Sequence, residues 1–290
     1  MDQSRRRPIH FISGLPRSGS TMLGGILRQN PRCFASMSGP VGGVIMGALR
    51  AMGPDNEFSV FRNDAQKRRI LRSIVTGFYD EFPDAEILFD TNRLWCAHLP
   101  LIADLFPEAK IICCVRNPAW VMDSLERLHR ENPLNVPRIF GSSADRATVF
   151  DRAEAMLRGD RLIGFPLNAL RETYYGHFAD RILLLEYDIL CQRPEQAIGL
   201  IYEFLGEPAF EHDFSHVEYE AEVFDRAVDT PGLHKVSGPV RFRPRKTCLP
   251  PEIFDRLGAL DFWRRDGKTQ AFRITGKTGT AGAEDRTLPN

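Results

Sequence analysis

Residues 10–28 read HFISGLPRSGSTMLGGILR, a short apolar run that breaks into a Gly/Pro/Ser loop and resumes with helical periodicity. Residues 9–13 fit a buried strand and 20–28 fit a helix. Gly14 to Gly19 then lie on the strand-to-helix turn, where free backbone N–H groups collect anions. Arg17 adds a positive charge inside that loop, and Ser18, Ser20 and Thr21 add hydroxyl donors at the helix start. Such a loop can hold a phosphate or a sulfate. Gly14-x4-Gly19-Ser20-Thr21 has the glycine spacing of a Walker A loop, without the lysine that bridges the terminal phosphates of a nucleoside triphosphate.

Further apolar runs at 86–90 (EILFD), 110–115 (KIICCV) and 181–186 (RILLLE) read as strands buried on both faces. Helical spacing recurs between them at 65–82, 167–178 and 194–205. The alternation predicts an α/β fold: a P-loop-like parallel sheet of about four to five strands flanked by helices. Residues 36–53, rich in Gly, Met and Ser, read as irregular and suited to a pocket wall. Residues 132–165, with Pro133, Pro137 and Gly141-Ser142-Ser143, read as a helical cap or lid inserted into one domain spanning 1–272. Residues 273–290 read as a disordered tail, and the acids of 207–225 as a solvated face.

The 290 residues are 43% hydrophobic, enough for one large core, and 38 basic residues balance 38 acidic ones. Nothing in that balance points to a nucleic-acid partner or a membrane surface. Six cysteines show neither CxxC pairs nor metal-ligand spacing, so the expectation is reduced thiols and no metal. The basic N-terminus lacks a following apolar run, and no segment approaches the ~20 apolar residues of a membrane span. Those features place the chain in the cytoplasm.

A second diagnostic stretch, Cys114-Val115-Arg116-Asn117-Pro118-Ala119-Trp120-Val121-Met122-Asp123-Ser124, runs from the third strand into a helix that Pro118 suits as a first-turn residue. Pro16-Arg17-Ser18-Gly19-Ser20-Thr21 resembles the 5′-phosphosulfate loop of sulfotransferases, in the form seen in tyrosylprotein and many bacterial members. Arg116 and Ser124, eight apart, resemble that family's 3′-phosphate motif. The resemblance spans about residues 9–263 and implies 3′-phosphoadenosine 5′-phosphosulfate as donor, with no metal, and adenosine 3′,5′-bisphosphate as product. It implies that Gly14, Pro16, Arg17, Ser18, Gly19, Ser20 and Thr21 hold the 5′ end. Arg116 and Ser124 would hold the 3′-phosphate. Tyr187 matches the tyrosine that contacts adenine, although an aromatic at a strand end also serves plain packing. Arg245 or Lys246, in the basic run after His234, is placed like a phosphate-closing loop.

The resemblance implies transfer of a sulfuryl group to a hydroxyl or amine of a small-molecule or peptide acceptor, with Arg17 as the cation at the leaving oxygen. The proton acceptor is open at this level. Asp90 stands at a strand end, where ligands of open parallel sheets bind, and reads equally as a helix cap. His98, in Ala97-His98-Leu99-Pro100, resembles the base of small-molecule members and also falls on an apolar helix face. Two other readings remain, a P-loop kinase or nucleotide hydrolase with 86–90 as its metal-binding strand, and a catalytically silent sulfotransferase-like binding protein.

Overall fold

The computed structural model describes residues 7–57, 60, 63–131, 140–227, 232–265 and 267–276. Its strands are β1 (Ile9–Gly14), β2 (Cys33–Ala35), β3 (Ile87–Thr91), β4 (Ile111–Val115), β5 (Ile182–Glu186), β6 (Val217–Tyr219), β7 (Val236–Gly238) and β8 (Phe272–Ile274). Helices are α1 (Ser20–Leu27), α2 (Val41–Ala51), α3 (Asp64–Tyr79), α4 (Leu94–Ala97), α5 (Leu99–Leu105), α6 (Pro118–Glu131), α7 (Val149–Leu157), α8 (Gly164–Tyr175), α9 (Tyr187–Gln192), α10 (Pro194–Leu205), α11 (Glu222–Ala227) and α12 (Pro251–Gly258). Six strands form one sheet in the order β2-β3-β1-β4-β5-β8, with every neighbouring pair parallel, while β6 and β7 form a separate antiparallel pair.

Side chains alternate across the sheet and divide the core in two. Phe11, Leu88, Ile111, Cys113 and Leu184 join the cluster beneath α2 to α8 and α12. Ile12, Phe89, Ile112, Cys114 and Leu185 join the cluster beneath α1 and α10. Helices therefore cover both faces, which is why the central strands carry continuous apolar runs. Successive strands leave β1 toward β3 on one side and β4 on the other, and a crevice opens at the carboxyl ends of such a switch point.

Three sequence expectations change. The sheet has six strands rather than four or five, because β2 and β8 are only three residues long and carry no readable periodicity. Phe272–Ile274 pairs with Leu183–Leu185, so the ordered domain runs past 272 and residues 273–276 belong to it; the rest of the expected tail, 277–290, lies outside the described residues. Within 36–53, α2 forms despite three glycines, because Val41 and Ile45 bury against the first core cluster. Of the expected cap, 132–139 lies outside the described residues. Its helix α7 is seated on α6 by a buried ion pair, Arg152 with Glu126 at 2.8 Å. Among the described residues no helix is long and apolar enough to cross a membrane, and no group of three or more His, Cys, Asp or Glu residues could hold a metal ion.

Candidate active site at the carboxyl edge of the sheet

β1 ends against β4 so closely that its last residue has to be glycine. Gly14 has φ +107°, and a Cβ there would lie 2.1 Å from the Cys114 carbonyl oxygen. The chain turns over at Arg17, whose φ of 57° is the left-handed conformation that an L side chain adopts at a cost of about 1–3 kcal/mol. Gly19, at φ +91°, opens α1 with no side-chain cap, and α1 has no acid in its first turn. Its N–H groups are thus left for an anion. Gly14, Pro16, Arg17, Gly19, Ser20 and Thr21 all line one cavity of about 830 Å³. Ser18 does not. Its hydroxyl donates to the Pro16 carbonyl at 3.2 Å and is buried, so it shapes the turn instead of facing a ligand.

The second motif reaches the same cavity from β4. Arg116 leaves the strand end, Asn117 accepts from the Ala119 N–H at 3.0 Å to start α6, and Ser124 follows two turns on. Arg17 Nε donates to Ser124 Oγ at 3.2 Å, and Arg17 Nη1 donates to the Leu233 carbonyl at 2.7 Å. The Arg116 guanidinium lies 4.2 Å from the centre of the Tyr187 ring, a cation–π contact, and its buried Nε has no hydrogen-bond partner among the described residues. Tyr187 in turn packs on Gly19, where a Cβ would meet its ring at 2.8 Å. Burial, and then the neighbouring guanidinium of Arg116, pulls the Arg17 pKa down. Burial does the same to Arg116. A cluster of cations that disfavour one another's charge favours an anion among them.

Arg245 completes this cluster, and Asp123 positions it. The Asp123 carboxylate is fully buried, pairs with Arg245 at 2.8 Å and Arg127 at 3.0 Å, and accepts from the Cys248 N–H at 2.7 Å and the Thr247 hydroxyl at 3.0 Å. It ties the basic segment to α6 beside Ser124. Arg241, Arg243 and Arg245 line the cavity, and Lys246 does not. Of the two cations expected at a phosphate, Arg245 is the one that lines the cavity, and the Lys246 carbonyl accepts from Arg127. Asp123→Ala is expected to lower stability in urea unfolding by about 2–3 kcal/mol, discounted for the half-exposed arginines. Affinity for adenosine 3′,5′-bisphosphate should fall in parallel as Arg245 loses its anchor.

Neither proposed base lies in the cavity. Asp90 is fully buried on the opposite face of β3, where its carboxylate accepts from Tyr79 Oη at 2.5 Å and Trp95 Nε1 at 2.7 Å. Its position is the face of Leu88, and Thr91, one residue on, takes the face that reaches the cavity. Burial raises the Asp90 pKa. His98 sits between α4 and α5, with Pro100 in the first turn of α5, and does not line the cavity. Asp90→Ala should therefore cost about 2–3 kcal/mol, since it orphans two buried donors. Its kcat, measured on the folded protein, should stay within about threefold of the parent.

A histidine absent from the candidate set does face the cavity. His234, next to the Leu233 that Arg17 contacts, holds Nδ1 2.5 Å from Asp225 Oδ1, and its backbone N–H donates to Asp225 Oδ2 at 2.9 Å. Asp225 is buried, so one of the acids expected on a solvated face is a built-in partner. With Nδ1 committed to a carboxylate, Nε2 is the nitrogen left to accept a proton. In the sequence this residue shows only as a histidine heading a basic run.

Comparison with known proteins gives a match to the Sulfotransferase family over residues 8–212. The nodulation protein NoeE of Sinorhizobium fredii is 25% identical over 225 residues, which cover 69% of this chain and 51% of that protein. The match thus spans about half the length of that curated relative. Among solved structures, the sulfotransferase domain from the Synechococcus PCC 7002 olefin synthase is 19% identical, with coverage of 90% of this chain and 96% of that one and a TM-score of 0.47. A sulfotransferase from Alicyclobacillus acidocaldarius is 15% identical, with 76% and 90% covered and a TM-score of 0.47. A match across most of the described domain, on a parallel α/β sheet with a Gly/Arg/Ser loop at its switch point, identifies the chain as a member of the sulfotransferase family.

Proposed function

We propose that this sulfotransferase moves a sulfuryl group from 3′-phosphoadenosine 5′-phosphosulfate to a hydroxyl or amine of a small-molecule or peptide acceptor. One observation carries the reading: the Arg17–Ser124 contact joins two anion-binding motifs 107 residues apart in a single cavity. The residues present fit the donor. Arg116 keeps a buried Nε with no hydrogen-bond partner among the described residues, and the loop holding Arg17 is pinned between Gly14, pressed on the Cys114 backbone, and Gly19, pressed on the Tyr187 ring.

The loop from Gly14 to Thr21 would hold the 5′ end, Arg116 and Ser124 the 3′-phosphate, and Tyr187 the base. When bound, the donor supplies the transferable sulfuryl group and its bisphosphate leaving group. Arg17 meets negative charge at the loop, in a site where fixed cations act with little reorganisation. His234 Nε2 takes the acceptor proton while Asp225 fixes the ring and stabilises the imidazolium.

Calorimetry tests the donor. Adenosine 3′,5′-bisphosphate is expected to bind at micromolar or tighter affinity without magnesium. Magnesium-dependent ATP binding in its place would favour a nucleotide kinase or hydrolase. Tight bisphosphate binding with no sulfuryl mass added to any phenol, lipid or peptide acceptor pool would favour a silent binding protein.

A further inference from the structure

Arg93 follows β3 and opens α4, and it lines the cavity together with Met37, Ser38 and Asn92. The backbone beneath it is held by Ser13, whose hydroxyl donates to the Arg93 carbonyl at 3.3 Å. Its guanidinium makes no hydrogen bond, ion pair or ring contact among the described residues. The residue is exposed and lines the cavity, and desolvation by the surrounding protein alone pulls its pKa down. Arg17 and Arg116, in contrast, also respond to other cations, including Arg245. Arg93 follows β3, across β1 from the strands β4 and β5 that lead into Arg116 and Tyr187, and so stands apart from the donor-side cluster.

Among the described residues no acid offsets it. Asn92, its neighbour, spends its amide on the Gly39 carbonyl at 3.2 Å and on the Leu94 N–H at 3.0 Å. A guanidinium exposed to the cavity without a counter-charge is free to receive an oxyanion through two parallel N–H donors. We propose that Arg93 is an oxyanion site at the acceptor end of the cavity, and that the acceptor carries a carboxylate, phosphate or sulfate group beside the position that is sulfated. This rests on the sulfuryl-transfer reading above and names the substrate class for it.

The same chemistry could instead come from the donor's own sulfuryl group, and the experiment separates the two sources. Inorganic sulfate is titrated calorimetrically into protein saturated with adenosine 3′,5′-bisphosphate, and separately into protein saturated with the phosphosulfate donor, against chloride at equal ionic strength. The proposal expects a sulfate site in both complexes, weakened at least tenfold by Arg93→Gln and partly restored by Arg93→Lys. Bisphosphate affinity should stay within twofold, which also reports that the variants are folded.

A sulfate site seen with the bisphosphate and lost with the phosphosulfate would overturn the proposal and assign Arg93 to the donor. So would a phosphosulfate affinity that falls in Arg93→Gln while bisphosphate affinity holds. Absence of a sulfate site in the parent, or its survival in Arg93→Gln, would also overturn it. Failure of the bisphosphate to bind at all would remove the donor reading on which the proposal stands.

Discussion

Arg17→Ala is expected to lower kcat/KM by about 10³, with the fold intact. Preorganised cations facing developing negative charge are worth about 10²–10³ each in water-poor sites. Arg17 also loses its donors to Ser124 Oγ and the Leu233 carbonyl, contacts that draw α6 and the His234 segment onto the loop. Part of the loss should therefore appear as weaker bisphosphate affinity and part as lower kcat. Because Arg17 is left-handed at φ 57°, alanine keeps the backbone strain and Arg17→Gly relieves it. The glycine variant should gain about 1 kcal/mol in urea unfolding and still lose turnover to the same extent as alanine. Equal turnover in the glycine variant and the parent would mean that the loop conformation, and not the guanidinium, is what matters.

His234→Gln should lower kcat by about 10²–10³ and leave bisphosphate affinity within twofold. General-base catalysis of this kind contributes about 10²–10⁴. Glutamine keeps a polar side chain of similar length next to Asp225, so the loop should hold while the proton acceptor is gone. Asp225→Asn should cost less, about tenfold, since the ring remains and only its orientation and the support for the imidazolium weaken. The paired measurements discriminate: a kcat unchanged in His234→Gln assigns the base elsewhere. Equal loss of bisphosphate affinity and kcat would make His234 a structural strut.

The four long strands could be read directly because each is buried on both faces and carries a mainly apolar run. β2 and β8, three residues each, are held by neighbours far away in sequence and leave no local trace. The two motifs at the cavity were legible because each is contiguous, with its chemistry placed by one strand end. Asp90 shows where that logic ends. A carboxylate at a strand end faces either side of the sheet depending on a register of one residue, and here Thr91 faces the cavity while Asp90 is taken by Tyr79 and Trp95. The His234–Asp225 pair was hidden for a different reason. It forms across α11 and the segment after it, and spacing in a single chain does not reveal that a loop folds back on a carboxylate. Likewise Asp123 and Glu126 break the apolar stripe of α6 because both are satisfied by arginines, Arg245 and Arg152, that pack against them from elsewhere in the fold.

The central claim is that one nucleotide bridges the loop from Gly14 to Thr21 and the Arg116–Ser124 pair. A crystal structure of the protein with adenosine 3′,5′-bisphosphate tests it most directly. The account predicts the 5′-phosphate against the N-terminus of α1 beside Arg17, and the 3′-phosphate within hydrogen-bond distance of Arg116 and Ser124. A nucleotide seated with either phosphate away from its cradle, or bound at another surface of the fold, would contradict it.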